Sequence, residues 1–200
     1  MTTPHHQTPP RFSLCVYCGS KSGAQPVYQK IANQVGQWIG QRGGQLVYGG
    51  GDRGLMGVVA NATLHAGGRV IGVIPQTLVD QEVANHACTE LHIVPDMHTR
   101  KAMMIERADA FLALPGGVGT FEELFEVWAW CQLGYHSKPI GLLNTCSYYD
   151  GMLSFLNNTV AQGFVSPWQM QMLHVAEDPH FLLPKLVQAA GWGCSNTQML

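Results

Sequence analysis

The stretch LPGGVGTFEELFEVW, residues 114–128, sets Gly116, Gly117 and Gly119, Thr120 and the adjacent Glu122 and Glu123 between apolar runs. Glycines let main-chain N–H groups approach a ligand with no Cβ in the way. A helix beginning near Thr120 would aim its unpaired N–H groups and positive dipole end at the same point, which makes an anion site. A plain strand–helix turn, with Thr120 as N-cap and acids in the first turn, would explain a glutamate but not three glycines. A phosphate gripped by Gly116, Gly117, Gly119 and Thr120, whose hydroxyl could add a contact, is the chemistry this spacing points to.

Two cations and two carboxylates extend the pattern. Arg100 and Lys101 fall in the first turn of the helical stretch DMHTRKAMMIERA (96–108), which Asp96 caps. The helix dipole disfavours cations there, so an anion or a carboxylate is expected opposite them. Two solvated surface charges are the simpler alternative. In the helix after the glycines, Phe121, Leu124, Phe125 and Trp128 recur at i, i+3, i+4 and i+7 and define one buried face. On that wheel Glu123 points away from the face and Glu122 flanks it. Glu122 and Glu126 stand four apart, a like-charge spacing that mildly destabilises an isolated helix. Capping accounts for either glutamate alone, but not for the pair beside a phosphate loop and a cationic helix. A phosphate site, a carboxylate and an arginine together suggest chemistry on a phosphorylated sugar. There a carboxylate can stabilise an oxocarbenium-like centre or activate water.

Other motifs compete less well. Gly49, Gly51 and Gly54 in GGGDRG fit G-x-G-x-x-G between a strand and a helix. The strand before them is the second, however, and the next strand ends in VIPQ with no acid to hold a ribose. A non-redox phosphate role or a close backbone approach suits these glycines better than a dinucleotide. Cys15 and Cys18 form a CxxC inside the apolar run FSLCVYC, where positions three apart face opposite sides of a strand. The other four cysteines are scattered, so buried thiols are expected rather than a metal or redox site.

The elements that must position these residues alternate. Strands are expected at 12–18, 45–48, 69–75, 90–95, 109–115, 138–144 and 172–178. Helices are expected at 26–43, 55–67, 96–108, from about 120 to 134, 148–163 and 179–191. Near-continuous apolar strands alternating with helices specify an α/β fold: a doubly wound, Rossmann-like parallel sheet with helices on both faces. Ligands bind such sheets outside the carboxyl ends of the strands. The loops CGSKSG, GGGDRG and PGGVGT are thereby singled out.

Two hundred residues suit a single domain, expected over 12–190 between a disordered tail at 1–11 and a C-terminal tail at 191–200. Charged residues are only 12% of the chain, against roughly 25% in typical globular proteins. So little charge suggests that part of the surface is buried in an oligomer. The net charge of −2 and the lack of a basic block argue against a nucleic-acid partner. No apolar run approaches the ~18 residues of a membrane span. The N-terminus has no apolar core of a signal peptide, so the cytoplasm is the expected location.

PGGVGTFEE resembles the PGGxGTxxE signature of the LONELY GUY (LOG) family, and DMHTRKAMM resembles its MHxRK segment. CVYCGS, VYGGGDRGLMG, VIGVIP and KPIGLLN also fall in the family's order and spacing, so the likeness spans about residues 12–185. It implies a cytokinin riboside 5′-monophosphate phosphoribohydrolase. Such an enzyme cleaves the N-glycosidic bond of an N6-modified AMP to free base and ribose 5-phosphate, with no metal or redox cofactor. Position by position, the resemblance makes Arg100 and Glu123 the catalytic pair. It makes Lys101, Gly116, Gly117, Gly119, Thr120 and Glu122 nucleotide-binding positions, and Glu82 an acid that contacts substrate. It also implies a homodimer, in keeping with the low charge. Relatives often carry the label lysine decarboxylase, but neither Lys101 nor Lys138 has a recognisable setting for a pyridoxal Schiff base. Val118 and Ala129 stand where plant members tend to have an aromatic residue and a threonine, and both bear on which base fits. A broader AMP or nucleoside 5′-monophosphate nucleosidase and a non-catalytic nucleotide sensor are the alternatives. The Arg100–Glu123 pair argues against the sensor.

Overall fold

All seven apolar runs form strands of one parallel sheet: β1 Ser13–Tyr17, β2 Gln45–Tyr48, β3 Arg69–Pro75, β4 Glu90–Val94, β5 Ala110–Ala113, β6 Ile140–Leu143 and β7 Leu173–Ala176. The structure is a computed structural model that describes residues 9–82 and 84–192, side chains at 80–83 excepted. Most of both expected tails, with Cys194, lies outside the described residues. The helices are α1 Pro26–Gln41, α2 Gly54–His65, α3 Gln76–Glu82, α4 Met97–Glu106, α5 Val118–Gln132, α6 Asp150–Ala161, α7 Pro167–Met170 and α8 Pro179–Ala189.

The strand order is β4-β3-β2-β1-β5-β6-β7. The chain builds outward from β1 to β4, then crosses back to lay β5 on the other side of β1, with Tyr17 level with Ala113. The order reverses between β1 and β5, and a crevice opens at the carboxyl ends of such a pair. The loops that meet there are CGSKSG and PGGVGT, joined by the Gly19 N–H donating to the Pro115 carbonyl at 3.2 Å.

Strand side chains alternate between two cores. Leu14, Val16, Leu46 and Tyr48 pack with Trp38 and Ile39 of α1, Leu55 and Val59 of α2, and Leu183 and Leu186 of α8. Cys15, Tyr17, Val47 and Phe111 pack with Met104 of α4, Leu124 and Trp128 of α5 and Leu156 of α6. Cys15 and Cys18 therefore face opposite layers as free thiols, and burial pushes both well above the usual thiol range.

Three differences from the sequence expectation bear on the site. First, α5 starts at Val118 with Gly117 as N-cap, so Thr120 lies inside the first turn and is buried instead of capping. Second, the buried face of α5 is Thr120, Leu124, Val127 and Trp128, while Phe125 is exposed. The helix is rotated so that Glu123, next to Val127 at the edge of that face on the wheel, turns inward. Third, α3, α7 and a short 3₁₀ turn at Thr145–Ser147 were not expected, being too short to show a helical period.

Candidate active site

Arg100 comes from the first turn of α4, as expected, and is buried. Its Nε donates to the Val73 carbonyl at 3.1 Å and its Nη2 to the Gly49 carbonyl at 3.1 Å. Its Nη1 lies 3.7 Å from Glu123 Oε1, an ion-pair distance too long for a hydrogen bond. A guanidinium is tolerated in the interior only when its donors and charge are met. Here two strand-end carbonyls and one carboxylate meet them. Gly49 is required by this arrangement, because a Cβ there would lie 2.0 Å from Arg100 Nη2. The first glycine of GGGDRG thus serves a close approach.

Glu123 is the inward glutamate, its side chain only 11% exposed against 48% for Glu122. The wheel of apolar residues suggests the reverse orientation; the waiting guanidinium is what lets a carboxylate take the buried side. Lys101 reaches Glu122 in a short contact and Glu126 at 2.9 Å, so the like-charge pair on α5 is bridged by one cation. Burial pulls the Lys101 ammonium down, but the two carboxylates outweigh it and hold its pKa above the ordinary value. Both first-turn cations of α4 therefore have carboxylates of α5 opposite them.

Arg100, Glu123, Gly117, Val118, Gly119 and Thr120 line one cavity of about 170 Å³, closed by Cys18, Gly19, Ser20 and Met56. Gly117 caps α5, whose free N–H groups open here. The three glycines divide by cause. A Cβ on Gly116 would meet Thr120 Oγ1 at 2.1 Å and the Gly19 nitrogen at 2.8 Å, so packing requires that glycine. Gly117 and Gly119 have no positive φ, and a Cβ on either would meet nothing within 4 Å. Neither strain nor packing explains them; open space above the backbone is what they supply.

Cys18 is no nucleophile, since burial and then the Glu123 charge hold its thiol well above the usual range. Among the described residues no group of three or more His, Cys, Asp or Glu is placed to hold a metal, and no helix is long and apolar enough to cross a membrane. Lys138 donates to the Ile105 carbonyl at 2.6 Å, capping the end of α4.

The structure brings together Arg100, Glu123, Gly117, Gly119 and Thr120. Gly116 lines an adjoining cavity of about 270 Å³ with Ser20, Lys21, Tyr28 and Tyr148. Lys101 and Glu122 line neither. Glu82 ends α3, and its side chain is outside the described residues. Sequence reasoning singled out the CGSKSG loop without assigning Ser20 or Lys21, and it missed Tyr28 and Tyr148. Tyr28 lies on α1 and Tyr148 in the turn after β6, both outside the three loops that the sequence singles out.

Comparison with known proteins accords with this geometry. A family model described as "Possible lysine decarboxylase" matches residues 56–186. Cytokinin riboside 5′-monophosphate phosphoribohydrolase LOG7 of Arabidopsis thaliana is 48% identical over 181 residues, covering 90% of this chain and 83% of that protein. A probable cytokinin riboside 5′-monophosphate phosphoribohydrolase, LOGL9 of Oryza sativa subsp. japonica, is 50% identical over 173 residues, covering 86% of this chain and 76% of that one. Among solved structures, the Moco carrier protein of Chlamydomonas reinhardtii superposes with a TM-score of 0.66 at 21% identity, covering 92% of this chain and 99% of its own, which is a likeness of fold. From its parallel sheet to its glycine loop, the chain belongs to the LONELY GUY family, whose family model bears the lysine decarboxylase description.

Proposed function

We propose that this protein hydrolyses the N-glycosidic bond of cytokinin riboside 5′-monophosphates, releasing the free base and ribose 5-phosphate. The observation that carries the reading is the 170 Å³ cavity, where two glycines with no packing duty lie over the start of α5 beside the Arg100–Glu123 pair. The names of the 48–50% identical relatives supply the substrate class.

Gly116, Gly117, Gly119 and Thr120 take the 5′-phosphate at the helix N-terminus. The C1′–N bond breaks with its electron pair leaving on the base, and positive charge grows on the ribose. Glu123, held close by Arg100, stabilises that charge and orients the water whose oxygen bonds to C1′. Glu123 takes one proton from that water and the departing base takes up one from solvent, so one water is added overall. Arg100, which stays protonated, orients Glu123 and assists departure of the base. Lys101, Glu122 and Glu82 are assigned nucleotide contacts on the family resemblance alone. A homodimer is part of the proposal, supported by the 12% charge content and by an apolar groove of about 290 Å³ along α5 and α6, and a cytoplasmic location is proposed with it.

The test incubates the purified protein with isopentenyl-AMP, AMP and isopentenyladenosine and measures free base by chromatography. Base released from isopentenyl-AMP well ahead of AMP, with little from the riboside, is expected. Equal rates on the two nucleotides would make the protein a broader nucleotide hydrolase. Base from neither would leave only nucleotide binding.

A further inference from the structure

The turn after β6 is the one described segment where non-glycine residues adopt positive φ, Cys146 at 52° and Ser147 at 58° in succession. Left-handed backbone is unfavourable for such residues and persists only where surrounding contacts enforce it. Those contacts are in place. Buried Asn144 accepts from the Tyr149 N–H and donates to Asp150, each at 2.7 Å. The product is a pair of tyrosines aimed at one short stretch of the glycine loop. Tyr149, fully buried, donates its hydroxyl to the Leu114 carbonyl at 2.6 Å, and Tyr148 donates to the Gly116 carbonyl at 2.5 Å.

The Gly116 bond has a consequence for the cavity. The Gly116–Gly117 peptide is trans, so its carbonyl and N–H point in opposite directions. With the carbonyl tied to Tyr148, the Gly117 N–H is directed away from that ring. Gly117 lines both cavities, whereas Tyr148 lines only the one without Arg100 and Glu123. A peptide between two glycines has no Cβ on either side to hinder rotation, so it needs an external tie to keep one orientation. The Tyr148 ring is itself braced by edge contacts with Tyr28 at 5.9 Å and Tyr149 at 4.9 Å.

We propose that Tyr148 is a positioning residue for the anion grip, holding the Gly116–Gly117 peptide so that the Gly117 N–H donates to the substrate phosphate. The inference rests on the phosphate-binding half of the proposed function and not on the hydrolytic half. Tyr148 is 39% exposed, so Tyr148→Phe keeps the ring contacts and removes only the hydroxyl.

Titration calorimetry with ribose 5-phosphate reads the effect directly, without catalysis. Tyr148→Phe is expected to weaken binding about fivefold, the scale of one net hydrogen bond, with an unchanged melting temperature. Tyr149→Phe is the structural comparator. It loses a buried hydrogen bond, so its melting temperature falls while its ribose 5-phosphate affinity stays within about twofold of wild type. An unchanged affinity in Tyr148→Phe would overturn the inference, as would an equal loss in Tyr149→Phe or no binding to the wild-type protein. A wild type that binds ribose 5-phosphate and loses affinity in Tyr148→Phe, yet hydrolyses no nucleotide, would sustain this inference and sink the enzymatic reading.

Discussion

Arg100 does two things at once: it closes the carboxyl ends of β2 and β3 and supplies the charge that holds Glu123 inward. Gly49→Ala tests this without touching either residue, because the new Cβ would stand 2.0 Å from Arg100 Nη2. Displacing the guanidinium should lower kcat on isopentenyl-AMP by about 10²-fold or more, in steady-state assays at saturating substrate. Arg100→Ala should also cost about 2–4 kcal/mol in urea unfolding, since it strands two buried carbonyls and a carboxylate. The cation at the wrong end of a helix was legible in the sequence. The inward turn of Glu123 was not, because an apolar wheel is blind to a carboxylate whose partner comes from another helix.

At the scale of elements, the five inner strands were legible because they are buried on both faces and read as apolar runs. The edge strands β4 and β7 are partly exposed. The crevice was legible because the alternation of strands and helices fixes which loops gather at one end of the sheet. The start of α5 was missed by two residues, since Thr120 reads as a cap but is drawn inside by packing against Gly116. Beyond the end of α5, His136 ties that helix to β6: its Nε2 bonds the Val127 carbonyl at 2.9 Å and its Nδ1 accepts from the Lys138 N–H at 3.1 Å. That network requires a neutral ring, and burial, then the Lys138 charge, lowers its pKa despite the Val127 carbonyl. A folded pKa below the ordinary 6.5 means that the unfolded chain binds the extra proton first as pH falls. The stabilisation is complete above 6.5 and is lost as pH drops from there toward the folded pKa. His174 shifts the same way and adds to the slope. The melting temperature should therefore fall as pH drops below about 6.5, with a shallower slope in His136→Gln over that window.

Across the whole molecule, the low charge content and the apolar groove of α5 and α6 bear on one surface. Phe125, Trp128, Ala129 and Val165 line that groove, and Phe155 on its rim is 62% exposed. Phe155→Glu places a charge where a second copy would pack. Light scattering should read a dimer for the wild-type protein and a monomer for the variant, with the melting temperature of the fold largely kept. If both are monomers, the charge deficit has another cause. The central claim is that the cavity between the glycine loop and Arg100 cleaves a nucleotide, with Glu123 as the group that supports the ribosyl cation. The most direct measurement follows release of isopentenyladenine and ribose 5-phosphate from isopentenyl-AMP by wild type and Glu123→Gln, with ribose 5-phosphate binding measured on both. The account predicts steady release by wild type, a loss of about 10²- to 10⁴-fold in the variant, and ribose 5-phosphate affinity retained. Undiminished release by Glu123→Gln would contradict it.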